Sequence, residues 1–366
     1  MKKVITIGSA MLDLFIQQEA LACPTRQEST KNFMLLEIGK KMEISHIIKQ
    51  SGGGATNAAV SFSRLGFAAE TICKIGPDCE GKFILDELAG NGVKTNHIIH
   101  SPTEMTGLSI ILPCPAGERT VLAYRGANST LQEKDIPASA CDESDVLYIT
   151  SLTGNTAALL LPITRHAKKQ GKIVATNPGT SQLAHDTQTL VASLAFIDIF
   201  ILNSSEAQTC WHSLKNEKET TLISHTNTRE YTATELPALL RKQSKYHTAD
   251  FDLRDFFTEI LARGPQVAAV TNGAEGVYVA QSDTIYFHPS MPSEVVCTVG
   301  AGDAFGSCFV SSLLQEKSVP EALIRGSLNA ASVIAHVGAK MGVLTADELE
   351  KRAQKTGLQL LQSFAR

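Results

Sequence analysis

Val299-Gly300-Ala301-Gly302-Asp303-Ala304-Phe305-Gly306 follows a short β-hairpin pattern and opens a strongly apolar helical stretch. Successive backbone N–H groups at a helix N-terminus form a site for phosphate or another developing anion, and the helix dipole favours negative charge there. An Asp in the first turn is also an ordinary capping residue. Yet a carboxylate beside an anion hole is what phosphoryl transfer to an alcohol needs, since one group takes the hydroxyl proton and the other holds the migrating charge. The G-x-G-x-x-x-G spacing is one residue too long for the dinucleotide fingerprint and stands late in the chain, which demotes a nicotinamide-dependent oxidoreductase.

Working outward from this segment, short β-rich runs alternate with longer stretches of helical spacing. Runs at 4–7, 70–75, 145–149, 172–175, 197–202 and 267–271 are near-continuously apolar, as strands buried on both faces must be. Helical spacing occupies 55–65, 81–91, 156–170 and 252–263 between them, and 301–315, 320–336 and 345–364 at the end. The runs 276–280 and 284–288, separated by Gln281-Ser282-Asp283, predict a hairpin. The pattern predicts an α/β fold, a doubly wound, mostly parallel sheet with helices on both faces. Two segments fit poorly, 17–50 and 106–124, the second with paired β-runs at 108–112 and 120–124. Together they predict a small discontinuous β-sheet lid over one end of a single domain, 1–366. The polar stretch 211–250 reads as an insertion.

The 366 residues are 43% apolar and 19% charged, ample for a buried core, and the formal charge of −4 leaves no electrostatic footprint for nucleic acid or an anionic membrane. No apolar run approaches the ~20 residues of a membrane span. The start reads as a buried strand and not as a cleavable leader. The eight cysteines are scattered without a C-x-x-C pair, which suits reduced thiols in a cytoplasm. Neither a zinc-binding histidine spacing nor a G-x-S-x-G elbow is present, so hydrolase chemistry has no support. A small-molecule partner is the default.

A second glycine cluster, Ser51-Gly52-Gly53-Gly54-Ala55-Thr56-Asn57-Ala58-Ala59, runs directly into a helix. It reads either as a flexible turn or as a cradle in which the backbone approaches a ligand and Asn57 offers an amide to a hydroxyl. Asp13 is expected at the end of the first strand, where open α/β sheets place ligand-binding residues. Asn203 and Glu206 follow an apolar run, and N-x-x-E either caps the next helix or positions water around a metal. Gly76-Pro77-Asp78-Cys79-Glu80-Gly81-Lys82 has P-loop spacing, but Phe83 stands where Ser or Thr must hold magnesium and Pro77 removes a donor.

Taken in order, these segments resemble the ribokinase-like (PfkB) carbohydrate kinase family over nearly the whole chain. Gly52 to Ala59, Leu65-Gly66 and Gly76 to Gly81 are similar to its N-terminal signature, and Gly300 to Phe305 to its C-terminal one. Asn203-Ser204-Ser205-Glu206 resembles its N-x-x-E motif and Thr271-Asn272-Gly273-Ala274-Glu275-Gly276 its T-x-G-x-x-G nucleotide loop. Glu118-Arg119-Thr120 and Tyr124-Arg125-Gly126-Ala127-Asn128 are similar to family sequences too. The resemblance implies an ATP-dependent kinase acting on a sugar hydroxyl, with a nucleoside as the alternative acceptor and a non-catalytic sugar- or nucleotide-binding regulator as the alternative role. It implies Asp303 as catalytic base and the N–H groups of Gly300, Ala301 and Gly302 as anion hole. Asp13, Gly53 and Asn57 would hold substrate hydroxyls. Asn203 and Glu206 would organise Mg²⁺ and phosphates, Glu206 through water, while Thr271, Gly273 and Asn329 would contact the nucleotide.

Departures from the family pattern bear on details. Cys297-Thr298-Val299 stands where members usually read D-T-T or D-T-N, and a thiol and an isopropyl group are poor cation ligands. This argues against activation by a monovalent cation, although backbone carbonyls could serve. Gly54 stands where ribokinase carries Lys, and Tyr148-Ile149-Thr150-Ser151 lacks a Glu that ribokinase has, which disfavours ribose as the substrate. An apolar lid sheet exposed on one side invites a homodimer.

Overall fold

The computed structural model describes residues 1–17, 25–28, 31–113, 119–185, 187–217, 236–241 and 251–366. Six parallel strands make up one side of a nine-stranded sheet, in the order Val267–Thr271, Ile199–Asn203, Ile173–Thr176, Val146–Ile149, Lys3–Ile7, Ala68–Ile72, the last of them an edge. Three antiparallel strands, Val277–Gln281, Thr284–His288 and Gln362–Ala365, extend it beyond Val267–Thr271. The period of two sorts side chains onto opposite faces. Leu147, Ile149, Phe200 and Leu202 pack with Trp211, Phe256 and Phe257 on one face. Val146, Tyr148, Ile199 and Ile201 pack with Phe62, Phe305 and Phe309 on the other. The expected doubly wound architecture is thus observed, as is the hairpin, closed by Ser282 at φ 50.

A separate four-stranded sheet runs in the order Arg119–Tyr124, Gly107–Pro113, Met11–Gln17, His46–Gly52. It begins earlier than the sequence pattern indicates. The chain leaves the main sheet after Ile7, and the Asn128 amide then brackets Ala10, accepting from its N–H and donating to its carbonyl, both at 2.8 Å. Asp13 therefore lies on the small sheet, directly opposite Ser109, and not at the end of a main-sheet strand. Between 17 and 50, Thr25–Glu28 and Lys31–Met34 form a separate two-stranded sheet, pairing only with each other among the described residues.

Two further expectations are corrected. The last helix ends at Thr356, where Gly357 at φ 60 breaks it, and Gln362–Ala365 is a strand whose Phe364 is buried. The helix Ser204–Glu217 carries Trp211 and Leu214 into the core, so the start of the expected 211–250 insertion is structural. Residues 218–235 and 242–250 lie outside the described ones. The segment with P-loop spacing is a helix start: Asp78 caps Cys79–Gly90 by accepting from Gly81 N at 2.8 Å.

Candidate active site

Gly300 sits at φ 80, a left-handed conformation in which a Cβ would also come within 2.4 Å of the Ala339 side chain. Glycine is thus required where the chain turns into the helix Ala301–Leu314. The first helical hydrogen bond runs from Ala304 N to Gly300 O at 2.9 Å. The N–H groups ahead of it form the helix's positive end, that of Ala301 leaning on Thr298 O at 3.5 Å. Gly302 faces open space, where a Cβ would meet no atom within 4 Å.

Asp303 accepts from Asn57 Nδ2 at 2.8 Å, a bond that joins the two glycine-rich segments. Asn57 is in the first turn of the helix Gly54–Arg64, whose N-cap is Gly53. Its Oδ1 is buried and finds no protein partner. Asp13 reaches the same region beside Gly52, where an added Cβ would fall 1.8 Å from Asp13 Oδ2. Burial pushes the Asp303 carboxyl up to about 6, against the Asn57 hydrogen bond and the charge of Lys340. Asp13 is likewise pushed up to about 6 by burial, opposed by the Ser109 hydroxyl and Lys340 and reinforced by Asp303 and Glu87.

On the other side of Asp303 a cavity of about 190 Å³ is lined by Gly300, Gly302, Asn203, Glu206, Thr271 and Arg119, among others. Its polar walls come from the C-terminal ends of the strands Ile199–Asn203 and Val267–Thr271, where open α/β sheets bind ligands. Asn203 and Glu206 cap each other: Glu206 Oε2 accepts from Asn203 N at 2.8 Å and Asn203 Oδ1 from Glu206 N at 2.9 Å. Burial pushes Glu206 up to about 6, and the Asp303 charge adds to it.

The structure brings together Asp13, Gly53, Asn57, Gly300, Gly302 and Asp303 around one point, with Asn203, Glu206 and Thr271 along the cavity. Gly273 stands two residues beyond Thr271, in the exposed turn Gly273–Glu275, and does not itself line this cavity. Asn329 does not face the cavity. It is fully buried, donating to Ala304 O and accepting from Leu344 N, both at 2.9 Å, so its amide braces the Asp303 helix from behind.

Three residues of the site have no role in the sequence reading. Arg119 extends from the small sheet to the Thr298 hydroxyl and lines the cavity. Asn177 lines it from the end of the strand Ile173–Thr176. Lys340 is buried behind the carboxylates and donates to the Ser51 carbonyl and hydroxyl. Its signal is a lone cation among small residues in Gly338-Ala339-Lys340-Met341-Gly342. The space beside Gly54 is taken by Thr150, whose Cβ would lie 2.8 Å from an added one, so a lysine there would collide.

A model of the pfkB family of carbohydrate kinases matches residues 1–232 and 220–346. A ribokinase of Haemophilus influenzae is 30% identical over 302 residues, 81% of this chain and 85% of that protein. A 2-dehydro-3-deoxygluconokinase of Bacillus subtilis is 27% identical over 344 residues, 90% of this chain and 95% of that protein. Among solved structures, Arabidopsis thaliana ribokinase complexed with ribose and ATP superposes with a TM-score of 0.72 at 18% identity, covering 96% of this chain and 99% of that one. A putative ribokinase II of E. coli in complex with ATP and Mg²⁺ gives 0.72 at 18%, covering 97% and 100%. With both glycine segments, the N-x-x-E pair and the small sheet in place around one aspartate, this chain belongs to the pfkB family of carbohydrate kinases.

Proposed function

We propose that the protein transfers the γ-phosphate of ATP to a hydroxyl of a sugar, with Asp303 as the base. The observation that carries this reading is the half-buried Asp303 carboxylate, which stands in the first turn of the helix whose N-terminal N–H groups open onto the cavity and is held by Asn57 from the helix Gly54–Arg64. Asp303 takes the proton from the acceptor hydroxyl as its oxygen attacks the γ-phosphorus, and the bond to the β-phosphate oxygen breaks. The N–H groups at Gly300, Ala301 and Gly302 meet the charge on the migrating phosphoryl group. Asn57 Oδ1 and the Asp13 carboxylate accept from further hydroxyls of the sugar, beside Gly53, which suits a polyol with several donors.

The nucleotide would lie along Asn203, Glu206 and Thr271. The amide, carboxylate and hydroxyl oxygens there suit Mg²⁺, and among the described residues no group of three carboxylate, His or Cys side chains could cage it. Such an ion, when bound, neutralises phosphate charge, with Glu206 reaching it through water. The small sheet would serve as a lid that excludes water, with Arg119 carrying positive charge to the phosphates. Val121, Leu122, Tyr124 and Ile47 leave apolar surface exposed on it, which supports a homodimer through the lid. Sedimentation as a single 39.3 kDa species would remove the dimer.

The test of the function is MgATP consumption against pentoses, hexoses, sugar acids and nucleosides, with and without K⁺. Turnover of a free sugar or sugar acid, without a K⁺ requirement, supports the reading. Turnover confined to nucleosides would replace the acceptor, and ATP binding without turnover of any acceptor would favour a regulator.

A further inference from the structure

Lys340 is 6% exposed, and a buried ammonium is tolerated only when its donors are met. Here they are met by one short stretch of chain. Nζ donates to the Ser51 carbonyl and hydroxyl and to Thr56 Oγ1 at 3.2 Å, and lies 3.6 Å from Glu87 Oε1. Glu87 grips the same residue, accepting from Ser51 N and Ser51 Oγ, each at 2.8 Å. Ser51 and Thr56 bracket Gly53, and Asn57 comes next. The neighbours of Lys340 touch both glycine segments: Ala339 is the side chain that an added Cβ at Gly300 would strike, and Gln50, beside Ser51, donates from Nε2 to Val337 O at 3.1 Å. Residues 337–340 therefore wedge between the two halves of the site.

We propose that Lys340 is a positioning residue for phosphoryl transfer: it locks the Ser51–Asn57 turn against the anion hole and sets a fixed positive charge facing Asp303 and Asp13. It rests on the reading of Asp303 as the base. The charged groups facing this cluster are Asp13 from the small sheet, Glu87 from the helix Cys79–Gly90 and Asp303 from the helix Ala301–Leu314. Cys73 lies within reach of the Lys340 charge, and Tyr148 and Glu206 within reach of Asp303. Burial pulls the Lys340 ammonium down to about 8, with Glu87, Asp13 and Asp303 opposing, so it stays charged at neutral pH.

The experiment uses the full chain with MgATP and two probes, 2-dehydro-3-deoxygluconate phosphorylation and ATP hydrolysis without acceptor, each followed from pH 5 to 9. In Lys340→Met, kcat should fall at least about tenfold and the acid limb of kcat/KM should move to higher pH, while affinity for a non-hydrolysable ATP analogue by calorimetry stays within about twofold. Lys340→Arg should restore the acid limb. A Lys340→Met protein that only melts earlier, with kcat and acid limb unmoved, would overturn the proposal. If Lys340→Met fails to fold, Lys340→Gln decides: its amide can still donate to the Ser51 and Thr56 oxygens but carries no charge, so the acid limb should again move to higher pH, and an unmoved limb rejects the idea. Asp303→Asn run in parallel separates the two readings: activity surviving in Asp303→Asn discards the base, whereas its loss beside an unmoved Lys340 profile discards only the positioning role.

Discussion

Asn57 and Asp303, separated by 246 positions in sequence, are joined by a 2.8 Å hydrogen bond from amide to carboxylate. The bond stabilises the ionised carboxylate, against the burial that raises it. In Asn57→Leu the acid limb of kcat/KM should shift to higher pH and the rate at neutral pH should fall about 10–100-fold, the range for a hydrogen bond to a charged group. A pH profile of the variant checks this, and an unmoved limb would mean that the bond is structural only.

Removing the base outright gives a larger effect. Asp303→Asn should lower kcat by about 10²–10⁴-fold while nucleotide binding by calorimetry persists, since the cavity walls are otherwise kept.

Stability should respond in the opposite direction. Asp303, Asp13 and Glu206 all have folded pKa values raised to about 6, above the usual carboxylate range. Between about pH 4 and 6 the folded chain therefore binds more protons than the unfolded one, and these groups lose stability as pH rises through that window. Asp303→Asn should raise Tm by about 1–3 °C at pH 7.5, the gain fading as pH falls towards 4. Calorimetric scans across that range read the trend, and a gain independent of pH would contradict it.

The two outer glycines of the anion hole should separate folding from function. Gly300→Ala forces φ 80 on a residue whose Cβ meets Ala339, and should cost about 1–3 kcal/mol in denaturant titrations. Gly302→Ala meets open space and replaces a helical glycine, so it should leave stability equal or improved. Its methyl group protrudes towards the cavity, and kcat should drop at least about tenfold.

Arg119 is the small-sheet residue that reaches the cavity, through the Thr298 hydroxyl. Arg119→Ala should raise KM for ATP and lower kcat, each about tenfold, without changing the melting temperature, because the guanidinium lies on the surface. Steady-state kinetics beside a thermal melt settle the point.

Much of this architecture is legible in the sequence because it is written locally. Strands buried on both faces need continuous apolar runs, and the glycine segments announce sharp turns ahead of helices. What escapes is set by tertiary packing. Asn329 occupies a polar position on an apolar helix, and only the packed structure shows that its amide serves Ala304 and Leu344. Lys340 and Asn177 stand outside every motif, their roles fixed by neighbours far away in sequence. Asp13 moves to the small sheet because the Asn128 amide stands in for a strand neighbour at Ala10, a substitution no local pattern records. The final helical pattern continues past Gly357, but the φ of that glycine ends the helix and frees the last residues for the sheet edge.

The strand order of the large sheet carries a consequence for biosynthesis. Once Lys3–Ile7, Ala68–Ile72 and Val146–Ile149 have paired, every later strand, through Gln362–Ala365, joins the outer flank of the one before it, in the order of translation. The sheet can grow vectorially as the ribosome feeds it, each new strand sealing the previous edge. Asp303 and Lys340 emerge late on this schedule, so a nascent chain holds most of its sheet before it holds a working centre. A chain that has emerged only as far as residue 300 is a catalytically silent platform with Thr284–His288 as its raw border.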